Sequence, residues 1–303
     1  LDSTNICRPA VAVITSISYD HTRQLGNTLT AIAGEKAGII KSGVPVVSGV
    51  VDGEPQTVIA QVADQHGCRL SQLGREFEFD YHPAERLDRS VAQAAFDFRY
   101  LGSQHAHRYD DLHLSLIGAH QAANAAVALA SIAELRPLGY AVRESAIRQG
   151  LAAVRWPARV EVVSRRPTVI LDAAHNVASV EAFVAALDQS FAAADRILVF
   201  ATTRDKDADG MLRVLLPHFD RAIFTRYASN PRGLPAEELG ELASGMGDKP
   251  CQIAANPAAA WNSARRMATA DSLIGVTGSF FIAAEMRPQI EEHPWAPGVN
   301  GPA

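Results

Sequence analysis

Apolar residues along the first half of the chain change period from two to nearly four and back again. Val11–Ile17 is a β-branched run that reads as a buried strand. Thr28–Ile40 follows as a helix, capped by Asn27 or Thr28, with Leu29, Ile32, Ala33, Ala37 and Ile40 on one stripe. Val44–Val51 is the next strand and Glu54–Gln65 the next helix, an order that predicts a parallel sheet with right-handed crossovers. Shorter alternating runs at Phe77–Tyr81, Phe96–Tyr100 and Leu112–Leu116 predict antiparallel strands or an inserted β subdomain, before helices at His120–Leu135 and Val142–Ala153. The helical pattern stops at Arg155–Pro157, where a domain boundary is expected. Beyond it, strands at Arg159–Val163, Thr168–Leu171, Ile197–Phe200, Ala222–Thr225 and Leu273–Val276 are expected. They alternate with helices near Ala178–Gln189, Ala208–Phe219, Ala236–Ser244, Pro257–Thr269 and Ser279–Met286, as in a small doubly wound domain. The prolines and glycines from Pro288 onward predict a loose tail.

One position breaks the first helical stripe. Lys36 stands seven residues after Leu29 and therefore on the apolar face. A buried ammonium costs on the order of several kcal/mol unless it is paired, neutralised or modified; a long stem that carries its head past the helix edge is the plain alternative. Asp20-His21-Thr22 follows the first strand. His21 alone reads best as a satisfied core histidine, but with Lys36 it points to a built site.

Ligands of doubly wound sheets bind beyond the carboxyl ends of the strands. Three polar clusters stand there: Asp172-Ala173-Ala174-His175-Asn176, Thr202 to Asp207, and Thr277-Gly278-Ser279. Each has an ordinary reading: an Asx-capped turn at Asp172 and His175, a solvated helix cap at Asp205-Lys206-Asp207, and a tight turn with an N-cap at Ser279. Their convergence is more informative than any one of them. Arg159 alone is an ordinary surface arginine. No G-x-x-x-x-G-K-[ST], G-x-S-x-G, H-E-x-x-H or G-x-G-x-x-G occurs.

Composition narrows the classes. Of 303 residues, 48% are hydrophobic and 20% charged, which suits two soluble domains. A net charge of −5 with scattered basic residues argues against a nucleic-acid surface. No apolar run approaches the roughly 20 residues of a membrane span, and no secretory pattern precedes the first strand. The three dispersed cysteines read as reduced thiols, so a cytoplasmic protein is expected.

Taken in order, Leu1–Asn5, Ile14–Lys41, Gly118–Ala125, Arg155–Glu161, Asp172–Asn176, Asp205–Asp207 and Thr277–Ser279 with Glu285 together resemble the folylpolyglutamate synthase/dihydrofolate synthase family of Mur-type ligases. Leu1-Asp2-Ser3-Thr4-Asn5 is similar to that family's LDATN, and Ile14–Lys41 to its most characteristic block. Gly118-Ala119-His120-Gln121 with Asn124-Ala125 resembles its G-x-HQ-x-x-NA, and Arg155–Glu161 its WPGRxE. Asp172–Asn176 resembles DGAHN, Asp205-Lys206-Asp207 its DKD, and Thr277-Gly278-Ser279 with Glu285 its TGS…GE. Ala158 and Ala173 stand where the family has glycine. The segments upstream of LDATN, which carry the family's P-loop and acidic magnesium ligand, are not among these residues, so the chain is expected to be the carboxyl-terminal two thirds of such an enzyme.

The resemblance implies an α/β protein. Residues 1–155 would be the remainder of a central ATPase domain, a parallel sheet with an antiparallel β insertion. Residues 156–290 would be a Rossmann-like, glutamate-binding domain, and 291–303 a loose tail. It implies ATP-dependent ligation of L-glutamate to a folate or dihydropteroate carboxylate through an acyl phosphate, by a monomer using ATP and Mg2+. By the same resemblance His21 is a magnesium ligand and Lys36 a carbamylated, catalytic lysine. Asn124, Arg159 and Asp172 hold ATP, His175 acts beside the nucleotide, and Asp205, Lys206 and Ser279 belong to a glutamate site. The isolated chain is expected to be inactive. A non-catalytic remnant or binding module of the same fold is the competing reading.

Overall fold

The computed structural model describes residues 3–19, 26–51, 53–102, 107–193 and 195–296. The chain forms two compact units, one of residues 1–82, 93–115 and 119–154, the other of 83–92, 116–118 and 155–303.

In the first unit, β1 (Ala12–Ile14), β2 (Val46–Ser48) and β3 (Leu70–Gln72) make a parallel sheet in that order. Helix α1 (Leu29–Ala37) joins β1 to β2, and α2 (Gly53–Gln65) joins β2 to β3. The Thr28 hydroxyl caps α1 by accepting from the Ala31 amide at 3.1 Å. Ala12, Ile14, Ala37, Ile40, Val46, Ile59 and Ala63 form the core. Just past β2, a Cβ on Gly49 would stand 2.3 Å from the Thr15 carbonyl oxygen, so only glycine lets the two strand ends approach.

The antiparallel sheet is β4 (Phe77–His82), β5 (Ala94–Tyr100) and β6 (His107–Leu114). Phe77, Phe96, Phe98, Leu112 and Leu114 alternate inward. β6 starts earlier than expected because its polar residues stay paired with β5 while Tyr109 turns inward. Helix α3 (Ala119–Leu135) carries a buried Glu134, which accepts from Ser71 Oγ at 2.7 Å, Tyr100 Oη at 2.5 Å and the Arg69 guanidinium. Burial, with the hydrogen bond to Glu134, pushes the Tyr100 phenol up to about 12. Helix α4 (Glu144–Ala153) closes the unit.

The second unit is a six-stranded sheet with flanking helices. Its strands are β7 (Glu161–Arg165), β8 (Thr168–Leu171), β9 (Arg196–Phe200), β10 (Arg221–Phe224), β11 (Cys251–Ile253) and β12 (Leu273–Thr277). The order is β11-β10-β9-β12-β8-β7, parallel except for β7 against β8. The helices are α5 (Val177–Ser190), α6 (Ala208–Leu215), α7 (Ala236–Ser244), α8 (Pro257–Met267) and α9 (Phe280–Glu292). β8, β9 and β12 are buried on both faces, which explains their unbroken apolar runs.

The chain does not loosen at Pro288. Helix α9 passes through it to Glu292. The carbonyl that loses its partner belongs to Ala284, an exposed residue, so water can replace the missing amide. Ile290 anchors the last turn in the core, and Trp261 Nε1 donates to the His293 carbonyl at 2.8 Å. Trp295 Nε1 likewise reaches the Ala268 carbonyl at 3.3 Å. Residues 297–303 lie outside the described residues.

Candidate functional site

Strand β12 lies between β8 and β9, so the loops leaving these three strands emerge side by side. The Gly278 amide donates to the Ala174 carbonyl at 3.0 Å, and the Asp172 amide to Val276 at 2.9 Å. Gly278 has φ +113°, and an added Cβ would stand 2.4 Å from the Ala201 carbonyl oxygen. The turn into Ser279 therefore requires glycine. Ser279 caps α9, accepting from the Ile282 amide at 3.2 Å.

The most strained backbone lies next to this point. Ala158 has φ +55° and Val160 φ +46°, left-handed values that are uncommon for alanine and exceptional for a β-branched residue. Two carboxylates hold the turn. Asp172 Oδ2 accepts from the Val160 amide at 2.8 Å, while its Oδ1 accepts from Ala174 at 2.7 Å. Glu161 accepts from the Ala158 amide at 2.7 Å and is itself paired with Arg287. Asp172 is only 4% exposed; burial pushes its carboxyl up, against the opposing pull of the Val160 and Ala174 amides and the nearby Arg159 and His175.

Arg159 sits between the two left-handed residues. Its guanidinium carbon lies 5.4 Å from the Phe280 ring centroid, and the His175 ring centroid lies 5.8 Å from the same ring. His175 Nδ1 stands 3.0 Å from the Ala173 carbonyl; that bond requires a proton on Nδ1 and leaves Nε2 as the acceptor of the neutral ring. Asn176, the neighbour of His175, caps α5 in a reciprocal box with Ser179.

Ala158 and Ala173 pack together with Ala283. This explains how alanine is tolerated at a left-handed position. Ala158→Gly would release about 1 kcal/mol of strain. It would lose about 0.8 kcal/mol of methyl burial and about 0.4–1 kcal/mol through a freer unfolded chain. The expected net change in urea denaturation is therefore within about 1 kcal/mol of zero by the same terms. A stability gain well beyond that would show the strain to be uncompensated.

On the β9 side, Asp207 caps α6 through the Gly210 amide at 2.9 Å, the ordinary role for such a residue. Asp205 is held below the usual carboxylate range: its burial would raise it, but Thr203, its own backbone amide and the charges of Lys206 and Arg232 outweigh that. Glu285 accepts from the Ala228 and Ser229 amides at 2.9 and 2.7 Å, tying the loop after β10 to α9. Tyr227 of that loop is fully buried, and desolvation raises its phenol.

Lys36 is not where its stripe predicts. It is exposed, and its Nζ donates to the Ser16 carbonyl, two residues past β1, at 3.2 Å. The helix ends at Ala37, so Lys36 occupies the last turn and its long stem carries the head beyond the apolar face. His21 lies outside the described residues. Asn124 is exposed on α3, with its Nδ2 3.4 Å from Gln121 Oε1. Among the described residues no three His, Cys, Asp or Glu side chains are grouped as a metal ion would need. No helix among them is long and apolar enough to cross a membrane.

Arg159, Asp172, His175 and Ser279 thus meet beyond the carboxyl ends of β8 and β12, with Asp205 and Lys206 on the loop after the neighbouring β9. Lys36 and Asn124 belong to the first unit. Sequence reasoning missed Phe280, Glu161 and Arg287 as parts of the constellation. Nothing in the sequence set Phe280 apart from an aromatic that packs inward at a helix start.

A parallel sheet with an antiparallel partner, followed by a doubly wound unit whose loops converge in this way, is the architecture of a Mur ligase. The Mur ligase middle domain model matches residues 2–132, and the Mur ligase glutamate ligase domain model matches 158–280. The chain belongs to the folylpolyglutamate synthase/dihydrofolate synthase family of these ligases. It is 31% identical to the dihydrofolate synthase/folylpolyglutamate synthase of Bacillus subtilis over 96% of this chain and 65% of that one. Against the Mycobacterium tuberculosis enzyme of the same name the identity is 38%, over 80% of this chain and 50% of the other. Escherichia coli FolC in complex with DHPP and ADP has a similar structure, with TM-score 0.82 and 32% identity over 96% of this chain and 64% of that one. The chain thus spans less than two thirds of these relatives' length.

Proposed function

We propose that this chain supplies the ATPase-domain remainder and the amino-acid domain of a cytoplasmic ligase that joins L-glutamate to a folate or dihydropteroate carboxylate. The γ-phosphoryl group of ATP passes to the substrate carboxylate, giving an acyl phosphate and ADP. The glutamate amine then attacks the acyl carbon, forming the amide, and inorganic phosphate leaves. The observation that carries this reading is the clamped, left-handed turn that presents Arg159 beside His175. Backbone strain of this kind collects at functional sites, where neighbouring groups over-determine it.

Arg159, in the turn clamped by Asp172, would meet the nucleotide phosphates, and Asn124 would be a further contact to ATP. His175 would stand beside the transferring group. Asp205, Lys206 and Ser279 would hold the incoming glutamate. Solved structures of relatives contain ADP, or AMPPNP and Mn ion, which supports a nucleotide with a divalent cation. An ammonium cannot coordinate a cation, so Lys36 fits Mg2+ only as a carbamate. Its exposed amine, held at the Ser16 carbonyl, is accessible to carbon dioxide. Lys36 in that form and His21 would then hold the ion, which offsets charge on the transferring phosphoryl group.

The test is ATP-dependent incorporation of labelled L-glutamate by the protein as its gene encodes it, with dihydropteroate and reduced folates offered separately. Amide formation on at least one of them is expected. Ligation confined to an unrelated carboxylate, or none, would overturn the proposal.

A further inference from the structure

Phe280 has no evident reason to face outward. It opens α9 with half its surface in water, whereas the next residue, Phe281, turns inward onto Tyr227 at 5.3 Å between ring centroids. The groups Phe280 touches come from two separate loops: Arg159 from the strained turn and His175 from the loop after β8. Among the described residues no carboxylate forms a salt bridge with the Arg159 guanidinium.

An arginine can be fixed in two ways. A carboxylate fixes it by occupying its donors. An aromatic face fixes it by stacking, which leaves the N–H edge open to a second, anionic partner. The Phe280 contact is of the second kind.

We propose that Phe280 is a positioning residue: its ring braces Arg159 and His175 together while leaving the guanidinium donors free for an anionic ligand, here the nucleotide phosphates. This rests on the nucleotide role given above to Arg159. The strained turn fixes the Arg159 backbone, and the ring fixes the far end of its side chain. His175 is oriented from behind by the Ala173 carbonyl and from the side by the same ring.

Phe280→Leu, with Phe280→Tyr as the ring-preserving control, separates the possibilities. ADP affinity is measured by calorimetry with Mg2+, and adenosine serves as the phosphate-free comparison. Phe280→Leu is expected to weaken ADP about 3- to 10-fold and leave adenosine unchanged, and Tyr is expected to restore binding. In an Arg159→Ala background the leucine substitution should cost no further affinity, because it acts through the arginine. Equal weakening of ADP and adenosine, or full additivity with Arg159→Ala, would overturn the proposal.

A second readout needs no nucleotide. The Arg159 Nε–H order parameter from 15N relaxation should fall in Phe280→Leu and recover in Phe280→Tyr. An unchanged order parameter overturns the positioning role. Failure of the parent protein to bind ADP would instead refute the nucleotide reading, with the relaxation result still deciding the role of Phe280.

Discussion

Asp172→Ala is expected to destabilise the second unit by about 3 kcal/mol and to weaken nucleotide binding together with it. Each oxygen of this buried carboxylate accepts one backbone amide, Val160 at 2.8 Å and Ala174 at 2.7 Å. A hydrogen bond to a charged group contributes roughly 1.5–3 kcal/mol, and a buried amide left without a partner adds to the loss. Against this stands the cost of holding the charge in a dry site, which is why the carboxyl is pushed up and why the sum falls short of two full bonds. The raised value fixes the sign of the pH dependence. A carboxyl raised in the folded state loses part of its stabilising contribution as pH climbs from its unfolded value through the folded one, and Asp172→Ala should abolish that slope. Asn is not a conservative replacement, because its amide nitrogen would confront one of the two backbone donors. Once Val160 is released, the left-handed turn relaxes and Arg159 moves with it. Urea denaturation and ADP titration check both effects. A loss under about 1 kcal/mol would show that the turn is held elsewhere, since even one such bond exceeds that.

Much of this architecture is legible in the sequence because packing dictates it. The runs at Thr168–Leu171, Ile197–Phe200 and Leu273–Val276 are buried on both faces, and their continuous apolar character says so. β3 and β11 were not legible. Leu70–Gln72 and Cys251–Ile253 have three residues each and little apolar signal. In β3, Ser71 can be buried because Glu134, 63 residues away, accepts a hydrogen bond from its hydroxyl. Lys36 shows the limit of a helical wheel, which gives an angle but neither the length of the stem nor the end of the helix. The backbone of Ala158 and Val160 was hidden for a different reason: nothing local forces φ positive there. Asp172, twelve residues beyond Val160, and the Glu161 carboxylate, which is itself paired with Arg287, hold it there, so only the family's glycine at the place of Ala158 hinted at it. Arg159, which precedes β7, was marked only by the family resemblance, whereas the convergence of Asp172, His175 and Ser279 could be read from their places after strands. Phe280 could not, since an aromatic at a helix start is usually a core residue.

Lys36→Ala is expected to lower ligation by roughly two to three orders of magnitude while changing stability by less than about 0.5 kcal/mol, the usual range for an exposed side chain. The two numbers separate because Lys36 lies outside the core: it is exposed, and its Nζ donates to the Ser16 carbonyl at 3.2 Å. The catalytic loss follows from the proposed chemistry. The neutral amine attacks carbon dioxide and sheds a proton, leaving a carbamate whose oxygens can share a divalent cation with His21. Losing that anchor removes on the order of 3–4 kcal/mol of charge stabilisation at the transferring phosphoryl group. Two controls are specific to a carbamate. Activity of the parent protein should fall in carbon dioxide-free buffer and return with bicarbonate, and mass spectrometry under mild conditions should find the added 44 Da expected of carbon dioxide on the lysine amine. Lys36→Arg should fail as fully as alanine, because a guanidinium keeps the charge and the reach but cannot form the carbamate. If arginine restores turnover, the lysine acts as a cation at the end of β1, and the metal reading of Lys36 is wrong.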